Sequence, residues 1–281
     1  MKNDYLIKLH NEILNIMDVI HDICKRNNIK YYIVGGTLLG AVRHHGFIPW
    51  DDDLDIAMPR AEFEKFISVC DKELKFPYKL QWITTNKQYW LPFAKIENIN
   101  TIFSEIEHVK KNQFFGIFVD IFPLDDVSKY SKIIDKRKWL INKIRSMMCL
   151  KFGKNSKSVK KRIANIFSME QLSNLVTRLM SYSNNPKNLF YMNFGSQYSP
   201  RKQTIAKECY GEGELLLFEN RYYFAPSKYE DVLESIYGKN YMTIPPKEKR
   251  RTHYPNYVKF SDGSEMNFEV PEIRLKVEDT E

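Results

Sequence analysis

The sequence predicts a mixed α/β protein of the α+β kind, interrupted by a basic helical insertion. Three observations carry that expectation. Segments with helical spacing alternate with strand-like segments through residues 1–128 and return after about residue 186. Residues 130–182 between them show helical periodicity alone. The 281 residues are 43% hydrophobic and 14% aromatic, which is ample core material. The same composition excludes a disordered, collagen-like or disulfide-scaffold chain. No apolar run approaches the roughly 18 residues of a membrane span. The first thirty residues carry charges throughout and no apolar signal core, which predicts a cytoplasmic protein. The expected divisions are a core over 1–128, the insertion over 129–185, and a part over 186–281 that completes the fold and ends in a polar tail.

Each element has its own signal. Leu6, Leu9, Ile13, Ile16, Ile20 and Ile23 recur at threes and fours and predict an opening amphipathic helix. Tyr31–Val34 suits a short buried strand running into Gly35, Gly36 and a second helix with Leu38, Leu39 and Val42, which Gly46 and Pro49 end. A strand over Asp53–Ala57 leads through Pro59, placed in a first helical turn, to a helix burying Phe63, Phe66, Ile67 and Cys70. Further strands are expected near Tyr78–Ile83, Tyr89–Ile96 and Gly116–Phe122. The helical insertion has one loop, at Gly153–Lys157. Beyond it, Glu214–Phe218 and Tyr222–Phe224 flank a turn, and Ser227 with Glu230 predicts a capping box for a helix ending at Gly238.

Cys24, Cys70, Cys149 and Cys209 lie far apart with no Cys-x-x-Cys pair, which predicts reduced core residues, a reactive thiol being the alternative. The net charge of +8 is segregated. Lys129–Arg162 holds thirteen Lys and Arg against the single acid Asp135, a balance of +12, and leaves −4 for the rest. Such a segment suits either a solvated face or a polyanionic partner, including an anionic membrane touched through residues 129–162.

The chemistry concentrates at residues 35–60. On a strand, Asp53 and Asp55 share a face about 6.6 Å apart, a spacing at which both can bind one metal ion, and Asp51 continues the parity. A solvated acidic turn is the plainer alternative, but clustered carboxylates next to apolar Ile56, Ala57 and Met58 need a cation to offset their repulsion. A calcium loop fails because Ile56 and Pro59 occupy its sixth and ninth positions. The glycines fit neither phosphate-loop spacing. What remains is Gly35 and Gly36 at a helix N-terminus, where N–H groups can receive a phosphate that a metal on the acidic strand also grips. Asp120, the one charge between Phe114 and Leu124, is the candidate third carboxylate; capping a loop is its structural alternative.

These features resemble the nucleotidyltransferase fold of the DNA polymerase β type. The wording Gly35-Gly36-Thr37-Leu38-Leu39-Gly40-Ala41-Val42-Arg43-His44, then Gly46-Phe47-Ile48-Pro49-Trp50-Asp51-Asp52-Asp53-Leu54-Asp55, resembles the LicD family of phosphocholine transferases, itself similar to fukutin-related ribitol-phosphate transferases. Gly116–Asp125 resembles that family's third-acid strand and Tyr237–His253 its C-terminal motif. The resemblance implies a Mg2+- or Mn2+-dependent transferase moving phosphocholine from CDP-choline to a glycan or lipid-linked glycan and releasing CMP. Asp53, Asp55 and Asp120 would be catalytic and, with Asp51, hold metal. Gly35, Gly36 and Thr37 would cradle phosphate, Arg43 or Lys95 would act as a mobile positive partner, and Arg250, Arg251 and His253 would reach the donor, a solvated loop being the alternative for these three. His44 and His45 are expected to serve in structural hydrogen bonds. One or two of Trp50, Trp82, Trp90 and Tyr89 would face choline's ammonium. Transfer of ribitol phosphate, glycerol phosphate or a nucleotide is the nearest alternative. A nucleic-acid-binding protein is the alternative of another class, although no nucleic acid is expected.

Overall fold

The computed structural model describes residues 2–105, 115–152, 159–250, 252–253 and 255–268. The predicted loop at Gly153–Lys157, Arg251 and nearly all of the polar tail lie outside them. Helix α1 (Lys2–Arg26) buries Leu9, Ile13, Ile16, Ile20 and Ile23 as its spacing requires, with Met17 added and Leu6 half-buried. Strand β1 (Tyr32–Ile33) and helix α2 (Gly35–His44) follow, and His45 closes the helix with φ 56°. Strand β2 (Asp55–Pro59) starts two residues later than expected, because Asp51–Leu54 lie in an irregular segment ahead of it. Pro59 caps α3 (Arg60–Glu73) from outside rather than standing in its first turn.

Strands β3 (Tyr78–Gln81), β4 (Ala94–Ser104) and β5 (Phe115–Val127) complete the first part. Residues 89–93, expected to be strand, form an irregular segment with a bend instead. Tyr89 and Trp90 are buried without strand pairing, and burial alone gave them a strand-like pattern. Residues 129–185 hold three helices among the described residues, α4 (Lys132–Leu150), α5 (Val159–Ile166) and α6 (Met169–Ser181). The unexpected break before α6 is a capping box: Ser168 Oγ accepts from Gln171 N, and the Gln171 side chain accepts from Ser168 N.

Strand β6 (Phe190–Met192), helix α7 (Pro200–Gln203), strand β7 (Thr204–Ala206) and helix α8 (Lys207–Tyr210) come next. A hairpin of β8 (Glu214–Phe218) and β9 (Arg221–Ala225) matches expectation. Helix α9 (Tyr229–Tyr237) ends at Gly238 as expected, but Lys228 precedes it without a side-chain cap. Ser227 Oγ instead accepts from Gly213 N, so the predicted capping box does not form. A short turn (Lys247–Lys249) and the hairpin β10 (Tyr257–Lys259) and β11 (Glu265–Asn267) finish the described chain. None of the four cysteines is in a disulfide among the described residues, and Cys24, Cys70 and Cys209 are buried, in keeping with a core role.

One sheet organises these strands in the order β1-β2-β5-β4-β10-β11, with β3 also on β4, and β6 and β7 beyond the end of β5. Among the described residues, only β2 and β5 of this sheet run parallel. Strand β5 pairs with β2, β4 and β6 and is buried at every residue but half-exposed Asp126, as a strand covered on both faces must be. Its end is locked by Arg60, whose Nε and Nη2 donate to the two carboxylate oxygens of buried Asp125 at 2.8 Å each.

Helix α4 is tied to the rest through buried Lys138. Its Nζ donates to the carbonyls of Phe194 and Ser196, both at 2.5 Å. Burial pushes this ammonium from its ordinary 10.5 down to about 8. Between those two values the unfolded chain binds more protons at this lysine than the native chain does, so the native state gains stability as pH rises through that window. Lys138→Met should flatten the rise relative to the wild type, which urea denaturation at stepped pH from about 7.5 to about 10.5 would measure.

Candidate active site

The site is built around the backbone of Leu54 and Asp55. Val34 N donates to Asp55 O at 3.1 Å, Asp120 N donates to Leu54 O at 3.0 Å, and Asp55 N donates to Thr37 Oγ1 at 2.8 Å. These bonds fix Asp55 between α2 and β5. The bond from Asp55 N also ties the buried Thr37 hydroxyl, as acceptor, to β2. In the sheet register Asp55 stands beside Asp120, and Asp120 beside Lys95, so the three form a row across β2, β5 and β4.

Charge in this row is partly compensated. Lys95 Nζ lies 2.5 Å from Asp120 Oδ1 and 3.2 Å from the centroid of the Phe118 ring, with both charged side chains buried. Lys95 is therefore pinned, not mobile. Burial raises the Asp120 carboxyl above its ordinary value although Lys95 pulls the other way. Asp55 is raised further, by burial first and then by the Asp53 and Asp120 charges. Asp51 follows the same logic: burial, then Asp53, Asp52 and Asp55, push it well up. The structure thus brings Asp51, Asp53, Asp55 and Asp120 into one mutually repelling group.

The turn carrying the acids is held from two sides that sequence reasoning missed. His10 of α1, stacked on Phe47 at 3.8 Å, bonds through Nε2 to the carbonyl of Asp51 at 2.8 Å. Buried Asp52 accepts from the backbone N of His253 at 2.9 Å and from its ring Nδ1 at 3.0 Å, leaving the ring Nε2 3.8 Å from Asp53 Oδ2. Burial works to lower the His253 imidazolium, but Asp53 and Asp52 outweigh it and hold the ring well above its usual value. Asp52, Asp53 and His253 present ligand atoms within 4.8 Å of one another. Period-two spacing set Asp52 aside, because a strand would turn it from the face of Asp51, Asp53 and Asp55. In the irregular segment Asp52 and Asp53 instead both reach His253.

A cavity of about 570 Å³ opens against this group. Gly35, Gly36, Asp51, Asp53 and Asp55 line it on one side, while Thr37, Lys95, Asp120 and His253 lie outside its wall. Gly35 has φ +59°, and a Cβ at Gly36 would fall 2.8 Å from Asp51 Oδ2, so this approach of the helix start to the acids needs glycine. Arg43 lines the cavity but is held by the carbonyls of Tyr241 at 3.0 Å and Thr243 at 3.4 Å, and its Nε donates to His44. It shapes the wall rather than moving. Arg250 lies over the Trp50 ring at 4.2 Å, and both line the cavity.

Of the aromatic residues expected to face an ammonium, only Trp50 reaches this space. Trp82, Trp90 and Tyr89 are core side chains, packed on Phe63 and Phe115. The wall is finished instead by Tyr198 and Tyr237, in edge contact at 5.5 Å, with Tyr210 and Tyr241. Their phenols are raised chiefly by burial, and Asp51 and Asp55 contribute at Tyr198 and Tyr237. Nothing in the local sequence around Tyr198 signals this role. Lys138 holds the carbonyls of Phe194 and Ser196 just ahead of Tyr198, whose N donates to Ser196 Oγ.

Removing Lys95 should leave Asp120 buried without its counter-ion. Lys95→Met is expected to cost about 3–5 kcal/mol. Adding Asp120→Asn should recover most of that loss. Urea denaturation of both variants at neutral pH checks this, and equal losses would show that the pair does not carry the coupling.

Gly35, Gly36 and the acids Asp51, Asp53, Asp55 and Asp120 fall within a match to a known family. The family described as LicD/FKTN/FKRP, nucleotidyltransferase domain, matches residues 28–160. A lipopolysaccharide cholinephosphotransferase, LicD, of Haemophilus influenzae is 32% identical over 251 residues, covering 86% of this chain and 92% of that one. An uncharacterized protein of Rickettsia typhi is 37% identical over 113 residues, 40% of this chain and 34% of its own length. A second, of Rickettsia prowazekii, is 56% identical over 46 residues, 16% of this chain and 17% of its own. With near full-length similarity added to the Gly-Gly, acidic-turn and third-acid motifs, the chain belongs to the LicD family.

Proposed function

We propose that this chain, a phosphotransferase of the LicD type, moves phosphocholine from CDP-choline to a hydroxyl of a cell-surface glycan or its lipid-linked precursor, on a nucleotidyltransferase-type fold. The observation that carries the assignment of the transferred group is the match to the cholinephosphotransferase over 92% of that protein's length. The cavity supports it. A helix N-terminus at Gly35 and Gly36, able to donate to phosphate oxygens, faces three carboxylates, and aromatic side chains able to meet a quaternary ammonium complete the wall.

The carboxylate group suits a hard divalent cation. Its donors are all oxygen, and its members repel one another strongly enough to be pushed towards protonation, which a bound cation would reverse. Asp53 and Asp55, with Asp51 and Asp120, would hold Mg2+ or Mn2+, which would neutralise charge developing on the phosphoryl group and on departing CMP. In the transfer, the acceptor oxygen bonds to the distal phosphorus of CDP-choline, the bridging P–O bond breaks, and CMP leaves with the electron pair. The acceptor's proton passes to a carboxylate of the group or to solvent. Arg250, on the cavity wall, and His253, beside Asp53, would offset negative charge on the donor.

Two measurements test this reading. Purified protein given CDP-choline, Mg2+ and a glycan acceptor should release CMP, and Asp55→Ala should abolish the release. CTP should yield negligible pyrophosphate. Pyrophosphate from CTP with CDP-choline untouched would overturn the transferase assignment, and activity only with CDP-ribitol or CDP-glycerol would replace the head group. Independently, Mg2+ or Mn2+ should raise the melting temperature of the wild type, because a ligand of the folded state stabilises it. Asp53→Asn should lose that rise, and an equal rise in the variant would remove the metal from these residues.

A further inference from the structure

Helix α4 has two working faces. The inner one buries Ile134, Lys138, Ile141, Ile144 and Met148. On the outer one, Ile133, Trp139 and Leu140 are 73%, 61% and 39% exposed, and Lys132, Lys136 and Lys143 are exposed among them. At 100° per residue these six side chains fall within an arc of about 120°. Lys143 Nζ stands 5.8 Å from the centroid of the Trp139 ring. Further along the insertion, Ile163, Ile166 and Phe167 are also exposed. The whole stretch Lys129–Arg162 carries thirteen Lys and Arg against one acid.

We propose that the outer face of α4 docks on a phospholipid bilayer rich in anionic headgroups. A face that served only solubility would have no use for an exposed tryptophan flanked by isoleucine and leucine, which cost hydration in water. A face for nucleic acid would want the charges but not the aliphatic side chains. A bilayer interface uses both. Lysines meet the headgroup phosphates, and Trp139, Leu140 and Ile133 enter the boundary of the acyl region, as in helices that lie in the plane of a membrane.

The inner face gives this docking a consequence for the cavity. Lys138 holds the carbonyls of Phe194 and Ser196, and Ser196, Gln197 and Tyr198 line the cavity. A docked α4 therefore sets that wall about one helix diameter, roughly 10 Å, from the headgroups. The docking does not depend on which group the enzyme transfers.

Cosedimentation with vesicles tests it at low ionic strength. The wild-type protein should bind vesicles of phosphatidylcholine mixed with phosphatidylglycerol and stay in solution with phosphatidylcholine alone. Each lysine near an anionic surface contributes about fivefold to partitioning, so the triple variant Lys132→Gln, Lys136→Gln, Lys143→Gln should bind about a hundredfold more weakly. Ile133→Ser with Trp139→Ser and Leu140→Ser should weaken binding as well. Trp139 emission, taken as the difference between wild type and Trp139→Phe, should shift to the blue on the mixed vesicles. Wild-type protein that ignores those vesicles would overturn the proposal, as would triple variants that bind like wild type. So would charge-dependent binding of an oligonucleotide with Trp139 emission unchanged on vesicles.

Discussion

The parallel pairing of β2 with β5 is the constraint on which the site depends. It alone places Asp55 beside Asp120, and the antiparallel pairing of β5 with β4 then places Lys95 beside Asp120. A slip of one residue would turn each side chain to the opposite face and dissolve the row. The register is correspondingly over-determined. Leu54 O, Asp55 N and Asp55 O are all bonded, to Asp120 N of β5, to Thr37 Oγ1 of α2 and to Val34 N just ahead of α2. A carboxylate held by its own backbone in this way keeps its position even where its charge is opposed by its neighbours.

Asp51 and Asp53 lack that ladder, since they precede β2, and other elements restrain them. His10 from the first helix holds Asp51, and His253 from the far end of the chain holds Asp52 and stands beside Asp53. Residues more than 200 positions apart thereby meet over one turn. The acidic segment is consequently irregular in backbone yet fixed in space, as a group of like charges must be if it is not to splay apart.

Much of this was visible in the linear pattern. The Gly35-Gly36 helix start, the acids at 51, 53 and 55, and the solitary Asp120 in an apolar strand each stand out by a local rule of spacing or burial. The expected strand over residues 89–93 and the capping box at Ser227 went astray for one shared reason. Burial and hydrogen bonding there come from distant segments, which local periodicity does not record: Tyr89 packs on Phe115, and Ser227 serves Gly213. Lys95 was singled out as a cation, but its pinning by Asp120 and Phe118 needs β4 and β5 in register. Asp52 and His10 were passed over because their partners lie 201 and 41 residues away.

Strand β5 shows how one element supplies both structure and chemistry. Asp120 and Asp125 are an odd number of residues apart and face opposite sides of the strand. Asp125 meets the fork of Arg60 with both oxygens, and Asn184 adds a third bond at 3.1 Å, which satisfies it within the protein. Asp120 meets a lysine that reaches only Oδ1. Phe122 and Leu124, which share its parity, line the cavity. The same residue type thus becomes a lock on one face and a part of the acidic group on the other, and the difference lies in the partner. A planar guanidinium saturates a carboxylate, whereas a single ammonium leaves it able to respond to the charges beside it.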